Sequence, residues 1–472
     1  MKILLAIANY GTKNEIYLNK LLEEYRSMVK YSVKIVLFSN IPKNYGPDIE
    51  VIVGLPTKDP RSLPYGHKVL FSERRHQYDL FIYSEDDTLI TENNIDSYLR
   101  ITQILTDEYI AGFIRYEITE SGTKYYIDFH NRFHWDPNSI RKIGDYIFAH
   151  HTNEHSACFI LTQVQLEKAI RSGGFLLPPR EGRYETLETA ATDPYTQCGM
   201  KKLICISHLK DFCIHHLPNV YIDKMGLNEE LTDKEIEKLI SICGTNTLRG
   251  PLLDTKTLLE NAEWEKRYYE PCRKDILSLI PKDVQRVLSV GCSCGSTESE
   301  LVKQGIEVVG IPLNCIIRVT AEARRIKVVS PDFECAMADL RGEDFDCILF
   351  PDVLQHLPDP ISVVRNFLNL LRTSGSIIIS VPNFHYPPIV RKKMLWKLLL
   401  SKANGMHIFK KYKINFTTRS MIDSWMERCG LHVVRSSGQI EPGAHRFNRL
   451  TMGSMKSILS RNVVVLCKRT VA

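Results

Sequence analysis

Apolar residues run almost unbroken through Lys2–Ala8, Val33–Phe38, Ile49–Val53 and Tyr78–Tyr83, whereas between Asn14 and Val29 they recur at helical spacing. Short apolar runs read as strands covered on both faces, and a recurrence near 3.6 residues reads as an amphipathic helix. Strands alternating with helices predict a mostly parallel sheet with helices on both sides. After Asp211-Phe-Cys-Ile-His-His-Leu-Pro218 the alternation stops, and residues 228–259 are polar with a helical pattern, broken at Gly244-Thr-Asn-Thr247. It resumes with a helix expected over Thr257–Ile280, a strand from Val287, a second over Gly305–Asn314, a third over Ile326–Ser330 and a fourth opening Asp344–Asp359. The expected class is α/β, with two α/β domains at residues 1–228 and 260–472 and a helical linker, 229–259, between them.

Composition narrows this picture. With 472 residues, 44% apolar and 25% charged, the chain has the make-up of a two- or three-core globular protein. Its 13 cysteines fall singly apart from Cys292 and Cys294, and no CxxC occurs. Buried free thiols in a reducing compartment explain that better than disulfides or zinc. The opening Met1-Lys-Ile-Leu-Leu-Ala-Ile-Ala-Asn-Tyr10 reads as a strand rather than a signal peptide, and no apolar stretch is long enough to span a bilayer. A cytoplasmic protein is expected. The net charge of +6 is mild but uneven, because no Asp or Glu lies between Pro360 and Ile422. Within that segment Arg391–Lys402 mixes lysines, leucines and one tryptophan, the make-up of a helix lying on an anionic membrane surface as well as of an ordinary sheet-covering helix.

Tyr78-Asp-Leu-Phe-Ile-Tyr-Ser-Glu-Asp-Asp-Thr88 is a strand that ends in three carboxylates. Ligands of open α/β sheets bind at the carboxyl ends of strands, and hard oxygens there suit Mg²⁺ or Mn²⁺. Downstream stand Gly173-Gly-Phe175, then Tyr184-Glu-Thr-Leu-Glu-Thr-Ala-Ala-Thr-Asp193, then Ile214-His-His-Leu-Pro218. In that order the motifs resemble the nucleotide-sugar glycosyltransferases of the GT-A fold. The resemblance implies a nucleotide-sugar donor, a divalent metal held by Glu85, Asp87 and His216, and Glu188 as the base that deprotonates the acceptor. Glu185 and Asp193 are rivals for the base, and His216 is preferred to His215 because neighbours on a strand face opposite ways. Asn9 and Tyr10 would lie near the base of the nucleotide, and His67-Lys68 near its phosphates; turn-forming and solvated roles account for them equally. His150, His151 and His155 lack the cysteine partners of a zinc site.

The C-terminal half carries Val287-Leu-Ser-Val-Gly-Cys-Ser-Cys-Gly-Ser-Thr-Glu298, an apolar strand that turns on small residues into a helix. With the following strand and the Asp352-Val-Leu-Gln-His356 loop, it resembles the class I S-adenosylmethionine-dependent methyltransferases over roughly Tyr268–Lys468. The resemblance implies that Gly291, Cys292, Ser293 and Gly295 cradle S-adenosylmethionine, that Asn314 reaches the ribose, that Asp332 lies near the adenine, and that Asp352 and His356 line the methionine side. Three departures stand out. Ser289 replaces the usual acid, Ser293 the middle glycine, and Pro312 the ribose-binding acid. A base-flipping Asn/Asp-Pro-Pro-Tyr/Phe signature is absent, so no nucleic-acid partner is expected. The combined reading is a bifunctional enzyme acting on a glycan or glycolipid acceptor, with a glycosyltransferase bearing a non-catalytic methyltransferase-fold module as the alternative.

Overall fold

The computed structural model describes residues 1–247, 250–386, 405–438 and 460–470, arranged as two compact units, Met1–Asn246 and Thr247–Ala472. Arg391–Lys402, read as either a sheet-covering or a membrane-surface helix, lies outside the described residues.

The first unit is built on β1 (Lys2–Asn9), α1 (Glu15–Ser27), β2 (Ser32–Ser39), β3 (Ile49–Val53), α2 (Gly66–Arg74), β4 (Leu80–Glu85) and β5 (Cys158–Thr162). The strands line up in the order β5-β4-β1-β2-β3, all parallel except β5. Ile3 to Ile7 and Leu80 to Tyr83 are essentially inaccessible, as central strands covered on both faces must be. Each expected strand is found within two residues of its predicted limits. Helix α3 (Thr186–Thr196) follows, and a smaller mixed sheet contains Thr88–Leu89, Ile114–Ile118, Lys124–Tyr126, β6 (Cys213–His216) and Leu227–Asn228. Directly after the acidic triplet the chain crosses into this second sheet, where Thr88 pairs antiparallel with His216. Backbone pairing therefore carries the end of β4 to the end of β6. Helix α4 (Glu229–Ser241), expected in the linker, buries Ile236 and Leu239 and packs on Lys124–Tyr126 and Leu227–Asn228 of this unit.

In the second unit, β7 (Arg286–Cys292), α5 (Ser296–Lys303), β8 (Glu307–Pro312), α6 (Ile317–Ala323), β9 (Lys327–Val328), α7 (Phe333–Asp339), β10 (Phe345–Pro351), β11 (Leu371–Pro382), α8 (Arg419–Arg428), β12 (Leu431–Ser437) and β13 (Asn462–Arg469) follow one another. The sheet order is β9-β8-β7-β10-β11-β13-β12, with β13 antiparallel to both neighbours. Val287, Leu349, Ile378 and Val464 pack with Leu301 and Ala321 of the flanking helices in one core. The long helix expected over Thr257–Ile280 does not form. Asn261, Ala262 and Trp264 adopt left-handed backbone (φ 59°, 51° and 65°), Pro271 removes an N–H, and only Lys274–Leu277 is α-helical.

Candidate functional sites in the two units

At the end of β4 the three carboxylates separate. Asp86 turns inward to accept from Asn9 Nδ2 (2.5 Å) and Asn14 Nδ2 (2.8 Å), and burial pushes its pKa up to about 6. Asn9, expected near a nucleotide base, is therefore part of the support beneath the acidic turn. Asp87 also accepts from Asn14 Nδ2 (3.3 Å) and extends toward β6. Its Oδ2 lies 3.7 Å from His216 Nε2, and both side chains are nearly buried. His215 points away, stacking on Tyr116 at 5.1 Å. Glu85 ends the strand with a buried, unpartnered Oε1, and burial followed by the Asp87 charge drives its pKa well up, against the pull of the buried Arg115.

Among the described residues no three His, Cys, Asp or Glu side chains converge as a metal cage. His150, His151 and His155 form no such group either. What the fold provides is a pair, Asp87 and His216, and Glu85 does not complete a third corner. A pair of this kind fits an ion that takes its remaining ligands from a diphosphate and water, as Mg²⁺ does.

Glu188 occupies the third position of α3, where its Oε2 accepts from Glu185 N (3.1 Å) in a capping box. Burial raises its pKa, with Arg115 among the groups opposing the rise. Its rivals have other tasks. Glu185 is the exposed cap residue, and Asp193 is wholly buried between Lys68 and Arg180. Lys68 is thereby committed, and His67 is buried and stacked on Tyr83 at 4.3 Å, so neither is presented to a phosphate. The Gly-Gly-Phe turn has a steric reason: a Cβ on Gly174 would stand 2.2 Å from the Gln197 carbonyl oxygen. Sequence reasoning missed Arg115 and Glu117. Both sit on an ordinary alternating strand, and nothing local marks them.

In the second unit the small-residue turn after β7 takes left-handed backbone at Gly291 (φ 75°) and Gly295 (φ 78°). A Cβ on Gly295 would meet Ile326 Cδ1 at 2.4 Å, so this glycine is fixed by packing as well as by φ. Ser289, in the acid's place, donates to Glu298 Oε1 (2.6 Å), and burial raises the pKa of that carboxylate. The carboxylate missing from the strand is thus supplied from the first turn of α5.

The groups around this turn are bonded within the chain. Cys294 N donates to Tyr268 O (2.8 Å), and its carbonyl accepts from Arg324 Nη1. Ser293 Oγ lies 2.6 Å from Arg267 O and 3.0 Å from Glu270 Oε1, and Glu270 is paired with the inaccessible Lys266 (2.9 Å). Leu252 N donates to Leu313 O (2.8 Å), directly after Pro312. Asn314, assigned to the ribose, uses its Oδ1 to accept from Ile316 N and Ile317 N (2.9 Å each). Asp332, assigned to the adenine, caps α7 through Cys335 N (2.9 Å). Asp352 is paired with Arg273 and accepts from Ser380 Oγ (2.5 Å). His356 is buried, which lowers its pKa to about 3. Cys292, Ser293 and Asn314 are at most 1% exposed. As they stand Cys292, Ser293 and Asn314 are covered by the chain and do not fit a bound nucleoside, whereas Asp332 and Asp352 are partly exposed.

Comparison with known proteins assigns this unit. Residues 264–436 match the family described as "Methyltransferase domain". Ubiquinone biosynthesis O-methyltransferase of Pseudomonas fluorescens (strain SBW25) is 28% identical over 158 residues, covering 32% of this chain and 65% of that protein. The enzyme of the same name from Xylella fastidiosa (strain 9a5c) is 29% identical over 187 residues, covering 37% and 73%. A solved magnesium protoporphyrin IX methyltransferase from Synechocystis PCC 6803 with bound SAH is 16% identical, covering 39% of this chain and 74% of that one, with a TM-score of 0.27. The C-terminal half carries a class I S-adenosylmethionine-dependent methyltransferase domain. Among the described residues no helix is long and apolar enough to cross a membrane.

Proposed function

We propose that the chain is a two-domain transferase whose first unit transfers a sugar from a nucleotide-sugar donor to a glycan or glycolipid acceptor. The observation that carries this reading is Asp87 set against His216, at the carboxyl end of the strand next to β1 in a sheet ordered β5-β4-β1-β2-β3. A carboxylate oxygen held 3.7 Å from a histidine nitrogen in a nearly buried site gives a cation two side chains to bind. Asp87 and His216 would hold a divalent ion, which would neutralise charge on a leaving diphosphate. Glu188, with a raised pKa, would take the acceptor's proton. Incubating the protein with a panel of nucleotide sugars and Mn²⁺, and scoring hydrolysis by mass spectrometry, tests this. No turnover of any donor sinks it.

For the second unit, S-adenosylmethionine-dependent methylation of the glycosylated product is supported by the family match. The closed turn favours a second reading, a methyltransferase-fold module that binds or scaffolds. Calorimetric titration of S-adenosylmethionine into the full chain decides between them: measurable binding supports the enzyme, and none supports the scaffold.

A further inference from the structure

Glu117 lies on Ile114–Ile118, the strand that runs parallel to β6 in the small sheet. Its side chain is wholly inaccessible, yet the carboxylate is saturated. Oε1 accepts from His216 Nδ1 (2.7 Å) and Val220 N (3.0 Å), and Oε2 accepts from Tyr221 N (2.8 Å) and Ile222 N (3.0 Å). A carboxylate ringed by N–H donors offers only acceptor sites, so the imidazole must carry a proton on Nδ1. Nε2 then faces Asp87 Oδ2, 3.7 Å away. The same carboxylate holds the turn 220–222, and that turn lays the Tyr221 ring on His216 at 5.5 Å and 25°. The imidazole is gripped at one nitrogen and along one face, leaving the other nitrogen facing Asp87.

We propose that Glu117 is the positioning residue of the first unit's site, fixing His216 as the Nδ1–H tautomer and aiming Nε2 at the cation position beside Asp87. The assignment rests on the cation and diphosphate reading of that site. Carboxylates behind ligating histidines orient the ring and raise its basicity, and losing one costs about 10- to 100-fold in metal affinity. Glu117 gains nothing from contact with substrate, since it is sealed beneath the histidine.

The test uses the full chain and two readouts. Nitrogen-15 NMR of labelled histidine, above the ordinary imidazole pKa of about 6.5, reports the His216 tautomer. Electron paramagnetic resonance titration of Mn²⁺ in the presence of UDP reports ion affinity. The expected result is an Nδ1–H ring in the wild type, with Glu117→Gln and Glu117→Asp each weakening Mn²⁺ about 10- to 100-fold while the thermal transition stays cooperative. An Nε2–H ring in the wild type overturns the proposal, whether or not either variant folds. Unchanged Mn²⁺ affinity in a folded variant also overturns it. An Nδ1–H ring that mixes tautomers in Glu117→Gln, in a protein that binds no Mn²⁺ with UDP, keeps the positioning role and overturns the cation reading instead.

Discussion

Each unit ends a parallel strand in a short turn where α/β proteins place a ligand, and the two turns differ in which of their polar groups the chain itself satisfies. In the first, Glu85 Oε1 has no partner, and Asp87, which accepts from Asn14 Nδ2 (3.3 Å), faces His216 Nε2 at 3.7 Å. In the second, the Cys294 amide, the Ser293 hydroxyl, the Leu313 carbonyl and the Asn314 side-chain oxygen are all satisfied by the chain itself, whereas both ring nitrogens of the buried His356 have no partner. Unsatisfied buried polar groups cost free energy, which a ligand or ion that bonds them recovers. Satisfied ones are stable as they are, and a ligand has to compete for them. The lesson is that a strand-end turn is better judged by its unspent donors and acceptors than by its motif.

The sharpest break in this contrast is Asp87→Ala. Removing one of two facing acceptors should lower nucleotide-sugar turnover by about 10³-fold or more while leaving the melting temperature nearly unchanged. Full turnover in this variant, or in EDTA, would place the chemistry elsewhere. Glu188→Gln should cost about 10²- to 10⁴-fold in turnover with little change in donor affinity. The base must be ionised to act, and burial holds its pKa above the ordinary value of 4.5. Turnover in the wild type should therefore fall as pH drops through a point above 4.5, and a limb at or below that value would count against Glu188.

Asp193→Asn separates a buried carboxylate with a structural task from one with a chemical task. It strips the inaccessible Lys68 of its counter-charge and should destabilise the first unit by about 3–5 kcal/mol, measured by urea unfolding. A stable but inactive variant would restore Asp193 as a rival base. The mildest effect is expected from loosening the second turn. Ser293→Gly removes a hydroxyl that bonds Arg267 O and approaches Glu270, and should improve S-adenosylmethionine affinity about tenfold if the closed turn is the obstacle. Micromolar binding by the wild type, unaltered in the variant, would show that closure is no barrier.

Much of this was legible in the residue pattern, because central strands such as Ile3–Ile7 are apolar throughout and the acidic triplet stands where β4 must stop. The roles of Asn314 and Asp332 were not, for a physical reason: a polar residue between a strand and a helix stands both where ligands bind and where helix amides need a cap. Sequence position cannot separate the two. The expected helix over Thr257–Ile280 failed because local periodicity does not register three consecutive-region left-handed residues or the burial of Lys266 against Glu270. Glu117 was invisible because its importance lies in bonds to residues about a hundred positions away.

The Ser289–Glu298 bond also constrains how this domain can change over generations. Restoring an acid at position 289 alone would set two buried carboxylates against each other where one now accepts a hydroxyl. Replacing Glu298 alone would leave the Ser289 hydroxyl buried without its acceptor. Each single step is penalised and only the paired exchange is smooth, so the two positions should be inherited together, and Ser289→Asp should be tolerated only alongside Glu298→Ser or a similar neutral partner.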